Sequence, residues 1–274
     1  MKRSLKNKKR SWSAIWFGAC LLAAFAMIYL AQNNVKGCSV KDLSGFPVAI
    51  PTGAKPQEQQ DEPKKVYLTF DDGPSETTEA VLQVLKEKGV PATFFVIAAP
   101  NNEKYLPTIR RQVEEGHQIA LHSCSHEYKE IYQSPTAFWA DIKQLREKIS
   151  PYVNTDEIHW LRFPGGSTNT VSRKYGGSGI MKKIKAQALE KGYQYVDWNV
   201  CANDAIGGHP SASTVLENVI KDAQGKNSCI VLMHDTKATK TTAQALPDII
   251  DWFKQQNYTF CRIDQLPQEQ MQGH

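Results

Sequence analysis

Six cysteines, at 20, 38, 124, 201, 229 and 261, stand in the chain without a single CxxC pair or zinc-finger spacing. That excludes thiolate zinc ribbons and dithiol redox centres. Net charge is also scarce where a polyanion partner would need it. The formal +5 comes from 33 basic and 28 acidic residues, and Lys2, Arg3, Lys6, Lys8, Lys9 and Arg10 place six positive charges among the first ten residues with no acid beside them. Those six exceed the total by one, so the other 264 residues sum to −1 and nucleic acid is not an expected partner. There is no internal repeat and only one long apolar run. With 41% hydrophobic and 22% charged residues over 274 positions, neither a disordered chain nor an integral membrane bundle fits; one sizeable globular domain does.

The apolar run follows the basic cluster. From Ala14 to Ala31 no residue is charged, enough to span a hydrocarbon core as a helix. The expected organisation is a basic cytoplasmic segment at 1–10, a transmembrane anchor at 11–31, a polar linker at 32–63 and a folded domain at 64–268. A cleaved signal peptide is the rival reading, but no clear Ala-x-Ala site follows the run. The chain is therefore expected in the cell membrane as a single-pass protein, its domain extracytoplasmic. Five cysteines then lie outside, an odd number; one disulfide or buried thiols in strands would both suit them.

From Lys64 onward strands and helices alternate. Strands are predicted at Val66–Phe70, Ala92–Ile97, Gln118–His122, Ile158–Phe163, Tyr193–Val200, Cys229–Met233 and Tyr258–Ile263. Helices are predicted at Thr77–Lys88, Lys104–Glu115, Thr136–Ile149, Ile180–Lys191, Ser211–Ala223 and Thr242–Gln256, three of them stopped by Gly89, Gly116 and Gly192. Seven strands separated by helices imply an α/β fold with parallel pairing, as a barrel or a doubly wound sheet, with function at the strands' C-terminal ends.

The chemistry-bearing residues stand at those ends. Asp71 and Asp72 close the first strand before Gly73-Pro74. Neighbouring strand residues face opposite sides, so the two carboxylates share a site only if the backbone turns between them. Such like charges need a cation to stay ionised, and a metal on one with an arginine on the other would serve. His122 and His126 flank Ser123-Cys124-Ser125 at the third strand's end, and with Asp72 they make a two-histidine, one-carboxylate set of the kind that holds a divalent metal. Arg162 offers the other cation, Asp204 follows the fifth strand, and His234 ends the sixth. Each alone is compatible with an ordinary turn or strand end; their recurrence at successive strand ends is not.

Taken together, Thr69-Phe70-Asp71-Asp72-Gly73-Pro74, His122-Ser123-Cys124-Ser125-His126, Arg162-Phe163-Pro164, a segment ending in Asp204, and Leu232-Met233-His234 resemble, in order, the motifs of the polysaccharide deacetylase family, carbohydrate esterase family 4. The resemblance spans about residues 64–266. It implies a distorted seven-stranded (β/α) barrel that removes acetyl groups from a sugar polymer with a divalent metal, usually Zn2+. Carried over, Asp72, His122 and His126 hold the metal and Asp71 is the general base. His234 is the general acid. Arg162 keeps Asp71 ionised, and Asp204 orients His234 and raises its pKa. Pro164, Gly165 and Leu232 would lie against substrate, with the Gly165 N–H meeting the oxyanion.

The chain departs from the family pattern twice. Gly165 and Gly166 stand where an aromatic residue commonly follows the Arg-x-Pro, and Cys201-Ala202-Asn203-Asp204-Ala205 lacks the first Asp and the Trp of the usual fourth motif, leaving Asp197 as a competitor for Asp204. With a membrane tether, the expected substrate is N-acetylated peptidoglycan. Deacetylation of chitin-like, exopolysaccharide or O-acetylated xylan chains is an alternative, as are a non-catalytic glycan-binding module and a metal-binding structural protein of the envelope.

Overall fold

The computed structural model describes residues 63–267. The basic segment, the apolar run, nearly all of the linker, Cys20 and Cys38 lie outside them. Among the described residues no helix is long and apolar enough to cross a membrane.

Eight strands are present among the described residues: β1 (Lys65–Asp71), β2 (Thr93–Ile97), β3 (Gln118–Ser123), β4 (Trp160–Leu161), β5 (Gln194–Tyr195), β6 (Val200–Cys201), β7 (Ser228–His234) and β8 (Thr259–Cys261). All pairings are parallel and run in the order β5-β4-β3-β2-β1-β7-β6. β7 pairs along the whole of β1, so β2 and β8 share β1's other edge, β8 beside Lys65–Tyr67 and β2 beside Thr69–Asp71. The result is a curled, distorted barrel of seven strands in one path, with a short eighth strand beside it.

The helices between the strands are α1 (Glu76–Lys88), α2 (Thr108–Glu114), α3 (Tyr128–Ile131), α4 (Pro135–Ile149), α5 (Arg173–Gly176), α6 (Ile180–Glu190), α7 (Ala212–Ala223) and α8 (Lys240–Gln255). Their starts are chemical. Ser75 caps α1, Ser134 caps α4 and Ser211 caps α7, each side chain accepting from a first-turn N–H. The single helix expected at Lys104–Glu115 is instead a 3₁₀ turn, Glu103–Tyr105, and α2, because Pro107 has no N–H to continue the ladder.

The largest correction concerns Tyr193–Val200. It is two short strands rather than one, β5 at one end of the sheet path and β6 at the other. Residues 196–199 bridge those ends as irregular chain, so the barrel closes through this segment and not through a ladder. Backbone carbonyls on such a seam need donors. Arg162 supplies them, Nε to Val196 O at 3.1 Å and Nη2 to Asp197 O at 3.1 Å. The fourth strand is short, and beyond it Arg162 turns to Asp71 while Phe163 packs on the helix side against Phe138 and Tyr195.

Strand alternation divides the interior. Val66, Leu68 and Phe70 of β1, Phe94 and Val96 of β2, Ile119 and Leu121 of β3, and Val231 and Met233 of β7 pack toward the helices. Tyr67, Phe95, Ala120 and Ile230 face the other way and form a smaller inner cluster with Trp160, Val196, Cys261 and Ile263. Further along the same faces come Asp71 after Thr69, His122 after Ala120, and His234 after Leu232. Period two thus carries the inner face from an apolar floor to a polar mouth.

Candidate active site

The turn that the two adjacent aspartates require is present. Asp72 has φ 68°, left-handed backbone that swings its side chain to the mouth beside Asp71. Asn102 Nδ2 holds the turn by donating to Asp72 O at 3.0 Å and Pro74 O at 2.9 Å. Beneath it lies Asp235, fully buried, which accepts from Thr78 Oγ1 at 2.6 Å. A Cβ at Gly73 would collide with the Asp235 carboxylate, so glycine is the residue that lets the turn sit there.

His122 is buried at the end of β3, and its Nδ1 donates to Arg162 O at 2.7 Å. That bond fixes the tautomer and leaves the Nε2 lone pair facing Asp72 Oδ1 at 3.4 Å. Burial drives its pKa down to about 3, which keeps the ring neutral as a metal ligand must be. His126, with φ 58°, returns its Nε2 to within 3.3 Å of the same oxygen. Asp72 Oδ1 is buried and has no hydrogen-bond partner among the described residues. An orphaned carboxylate oxygen beside two imidazole nitrogens, with ligand atoms all within 4.8 Å of one another, fits a divalent cation.

The loop carrying the histidines is shaped by a residue that sequence reading missed. Asp141 of α4 accepts from Ser123 Oγ at 2.7 Å, Cys124 N at 2.7 Å and Ser125 N at 2.9 Å. Its signal was visible: an acid among Phe138, Ile142, Leu145 and Ile149, on the apolar stripe of its helix. Cys124 points inward, buried, its thiol pushed up to about 11 by burial. Cys124, Cys201, Cys229 and Cys261 are all free thiols.

Arg162 is wholly buried. Besides the seam carbonyls it donates from Nη1 to Asp71 Oδ1 and to Thr69 Oγ1, both at 2.8 Å, and its guanidinium lies over the Phe95 ring. Burial raises the pKa of Asp71, and the charge of Arg162 opposes that rise. The other oxygen, Asp71 Oδ2, stands 3.9 Å from His122 Nε2, on the side of the candidate metal ligands. Across the mouth, Asp71 is in register with His234 on β7.

His234 Nδ1 donates to Asp204 Oδ1 at 2.8 Å, and its backbone N–H donates to Asp204 Oδ2 at 2.7 Å. Thr242 Oγ1 completes that carboxylate at 2.7 Å. Burial by itself would depress the imidazole's pKa. The hydrogen bond and charge of Asp204, joined by Asp71 and Asp72, outweigh it and raise the pKa to about 9. Asp197 is elsewhere: its carboxylate takes Ser167 N at 2.8 Å and Ser167 Oγ at 2.6 Å.

Of the residues expected against substrate, Pro164 O accepts from Tyr132 Oη at 2.8 Å, and Leu232 lies on the inner face next to His234. Gly165, at φ 77°, donates no backbone hydrogen bond among the described residues. A Cβ there would press on Tyr128 Oη, and one on Gly166 would meet the Trp198 ring at 3.3 Å. Tyr128 and Trp198, distant in sequence, thus occupy the space beside the two glycines.

Comparison with known proteins agrees with this geometry. The polysaccharide deacetylase family model matches residues 58–179. A peptidoglycan-N-acetylglucosamine deacetylase of Bacillus cereus is 30% identical over 219 residues, covering 79% of this chain and 94% of that protein. The chain belongs to the polysaccharide deacetylase family. Among solved structures, the catalytic domain of peptidoglycan N-acetylglucosamine deacetylase from Eubacterium rectale superposes with a TM-score of 0.72 at 36% identity, covering 84% of this chain and 98% of that one. A bifunctional xylanase/deacetylase of Pseudobutyrivibrio xylanivorans is 32% identical over 209 residues, 74% of this chain. Several curated relatives are longer: this chain spans 66%, 30% and 69% of the length of three of them.

Proposed function

We propose that this polysaccharide deacetylase removes N-acetyl groups from peptidoglycan, using a divalent metal, Zn2+ by preference, held by Asp72, His122 and His126. The observation that carries the reading is the orphaned Asp72 oxygen between two imidazole nitrogens, beside the paired ends of β1 and β7 that carry Asp71 and His234. Relatives named as peptidoglycan deacetylases support the polymer.

When bound, the cation would supply Lewis acidity to the acetyl carbonyl and to an attacking water. The protein's own groups divide the proton work. Arg162 occupies Asp71 Oδ1, so Oδ2 is the oxygen free to take the water's proton. Gly165 offers an uncommitted N–H to the oxyanion that develops on the carbonyl. Asp204 holds His234 Nδ1–H, which leaves Nε2 to deliver a proton to the departing amine. With a pKa of about 9, His234 carries that proton at neutral pH. Pro164 and Leu232, with Tyr128 and Trp198 near the two glycines, would wall the acetamido group.

The same reading places the domain outside the cell on an N-terminal membrane anchor. Its support is the basic cluster followed by eighteen uncharged residues, Ala14 to Ala31.

The test is acetate release by the purified protein from N-acetylated peptidoglycan, chitooligosaccharides and acetylated xylan, with and without chelator and after zinc is restored. Chelator-sensitive release greatest from peptidoglycan is expected. Release only from xylan would replace the substrate, a possibility the xylanase/deacetylase relative makes concrete. Stoichiometric metal uptake with no release from any polymer would favour a binding module.

A further inference from the structure

A cleft of about 850 Å3 opens from the Asp72 and His126 side of the site. Beyond those two residues its walls come from Ser75, Ile97, the segment 100–105 and Thr236, Lys237 and Ala238 after β7. Its charges do not cancel. The carboxylate of Glu103 is taken up by Lys148 at 2.5 Å. Glu76, which feels both Lys237 and Lys104, is held by Lys240 at 2.7 Å. Asp72 turns its Oδ1 to the two imidazoles. Lys104 and Lys237 are exposed, line the cleft and have no ion-pair partner among the described residues. Lys104 Nζ rests 4.8 Å from the centre of the Tyr105 ring, a contact that holds the ammonium at the cleft wall.

A neutral sugar chain is recognised by hydroxyl and amide partners and by aromatic faces, and has no use for two uncommitted ammonium groups. A carboxylate does. We propose that this cleft is a subsite for a carboxylate carried by the glycan next to the reacting acetamido group, with Lys104 and Lys237 as its specificity-determining residues. The inference rests on the deacetylase reading and narrows its substrate class to anionic, muramic-acid-containing strands. In such strands the carboxylate is either the lactyl group of the sugar or a carboxylate of the attached peptide. Lysine suits both, being a flexible point charge and not a planar fork.

The experiment compares the full chain with Lys104→Gln, Lys237→Gln and the double variant. Substrates are peptidoglycan fragments with intact peptides, the same fragments stripped to the free lactyl carboxylate, fragments whose peptide carboxylates are amidated, and N-acetylchitooligosaccharides of equal length. The double variant should raise KM for the carboxylate-bearing fragments about tenfold at low salt, the combined reach of two exposed ion pairs, with kcat unchanged and with no change on chitooligosaccharides. Salt should erode the wild-type preference and leave the double variant flat. Loss on stripped fragments assigns the lactyl carboxylate; loss confined to fragments with free peptide carboxylates assigns the peptide. An equal KM change on neutral and anionic chains, or none on either, overturns the subsite. If wild type releases no acetate from any chain, the deacetylase reading fails separately. Equilibrium binding of the anionic fragments then decides the subsite: about tenfold weaker binding by the double variant supports it, and equal binding overturns it.

Discussion

Asp71 and Asp204 are both buried carboxylates at the same end of one sheet, and they differ in what answers them. Asp71 faces the guanidinium of Arg162, while Asp204 faces the imidazole of His234, whose pKa is raised to about 9. With a fixed partner, the pH-dependent change falls on the carboxylate, and burial makes it a stronger base than an exposed aspartate. With a titrating partner, the change falls on the imidazole, which becomes a weaker acid that keeps its proton to about pH 9. On adjacent strands, the proposed base and the proposed acid are thus tuned by their different partners.

The largest effect expected from breaking this contrast is at the base. Asp71→Asn keeps the shape and the Arg162 contact but removes the proton acceptor, and kcat for acetate release should fall by about a thousandfold. A full-rate variant would show that Asp71 is not the base. His234→Gln should cost roughly a hundredfold on the N-acetyl substrate, and much less on an aryl acetate whose leaving group needs no proton. Equal losses on both would place His234 outside proton delivery.

Asp141→Ala leaves both pairs untouched and loosens the loop holding His122 and His126. A metal titration of the chelated protein should show about tenfold to a hundredfold weaker binding. Unchanged affinity would mean the loop keeps its shape without that carboxylate.

The smallest effect sharpens the acid side. His234 is protonated below about pH 9, so activity should decline as pH rises through that value. Asp204→Asn removes the charge that raises the pKa, and the alkaline limb should move to lower pH, with roughly a tenfold loss at neutral pH. The sign for stability is the same: the raised pKa stabilises the fold fully below the unfolded value of roughly 6.5 and loses that contribution as pH rises through about 9. A limb that stays in place would detach it from His234.

Much of this was legible along the chain. Short apolar runs mark β1, β3 and β7, and the polar residue closing each run marks where the site lies, because strands buried on both faces read as continuous apolar stretches. Gly89, Gly116 and Gly192 also marked where α1, α2 and α6 stop. What stayed hidden depends on contacts remote in sequence. Nothing near residue 196 says that the strand breaks there, because the break is set by which sheet edges β5 and β6 reach and by the Arg162 guanidinium that serves the seam.

By itself, then, the sequence determined the parallel α/β architecture, the strand ends that carry Asp71, Asp72, His122, His126 and His234, and the family those motifs belong to. Only the tertiary structure decided that Asp204 and not Asp197 meets His234, that Asp141 staples the histidine loop, that Tyr128 and Trp198 fill the space beside Gly165 and Gly166, and that Lys104 and Lys237 share a cleft with the site. The physical reason is range. Backbone periodicity and capping act within a few residues, whereas a buried carboxylate or an aromatic wall is satisfied by whatever group the closed sheet brings to it.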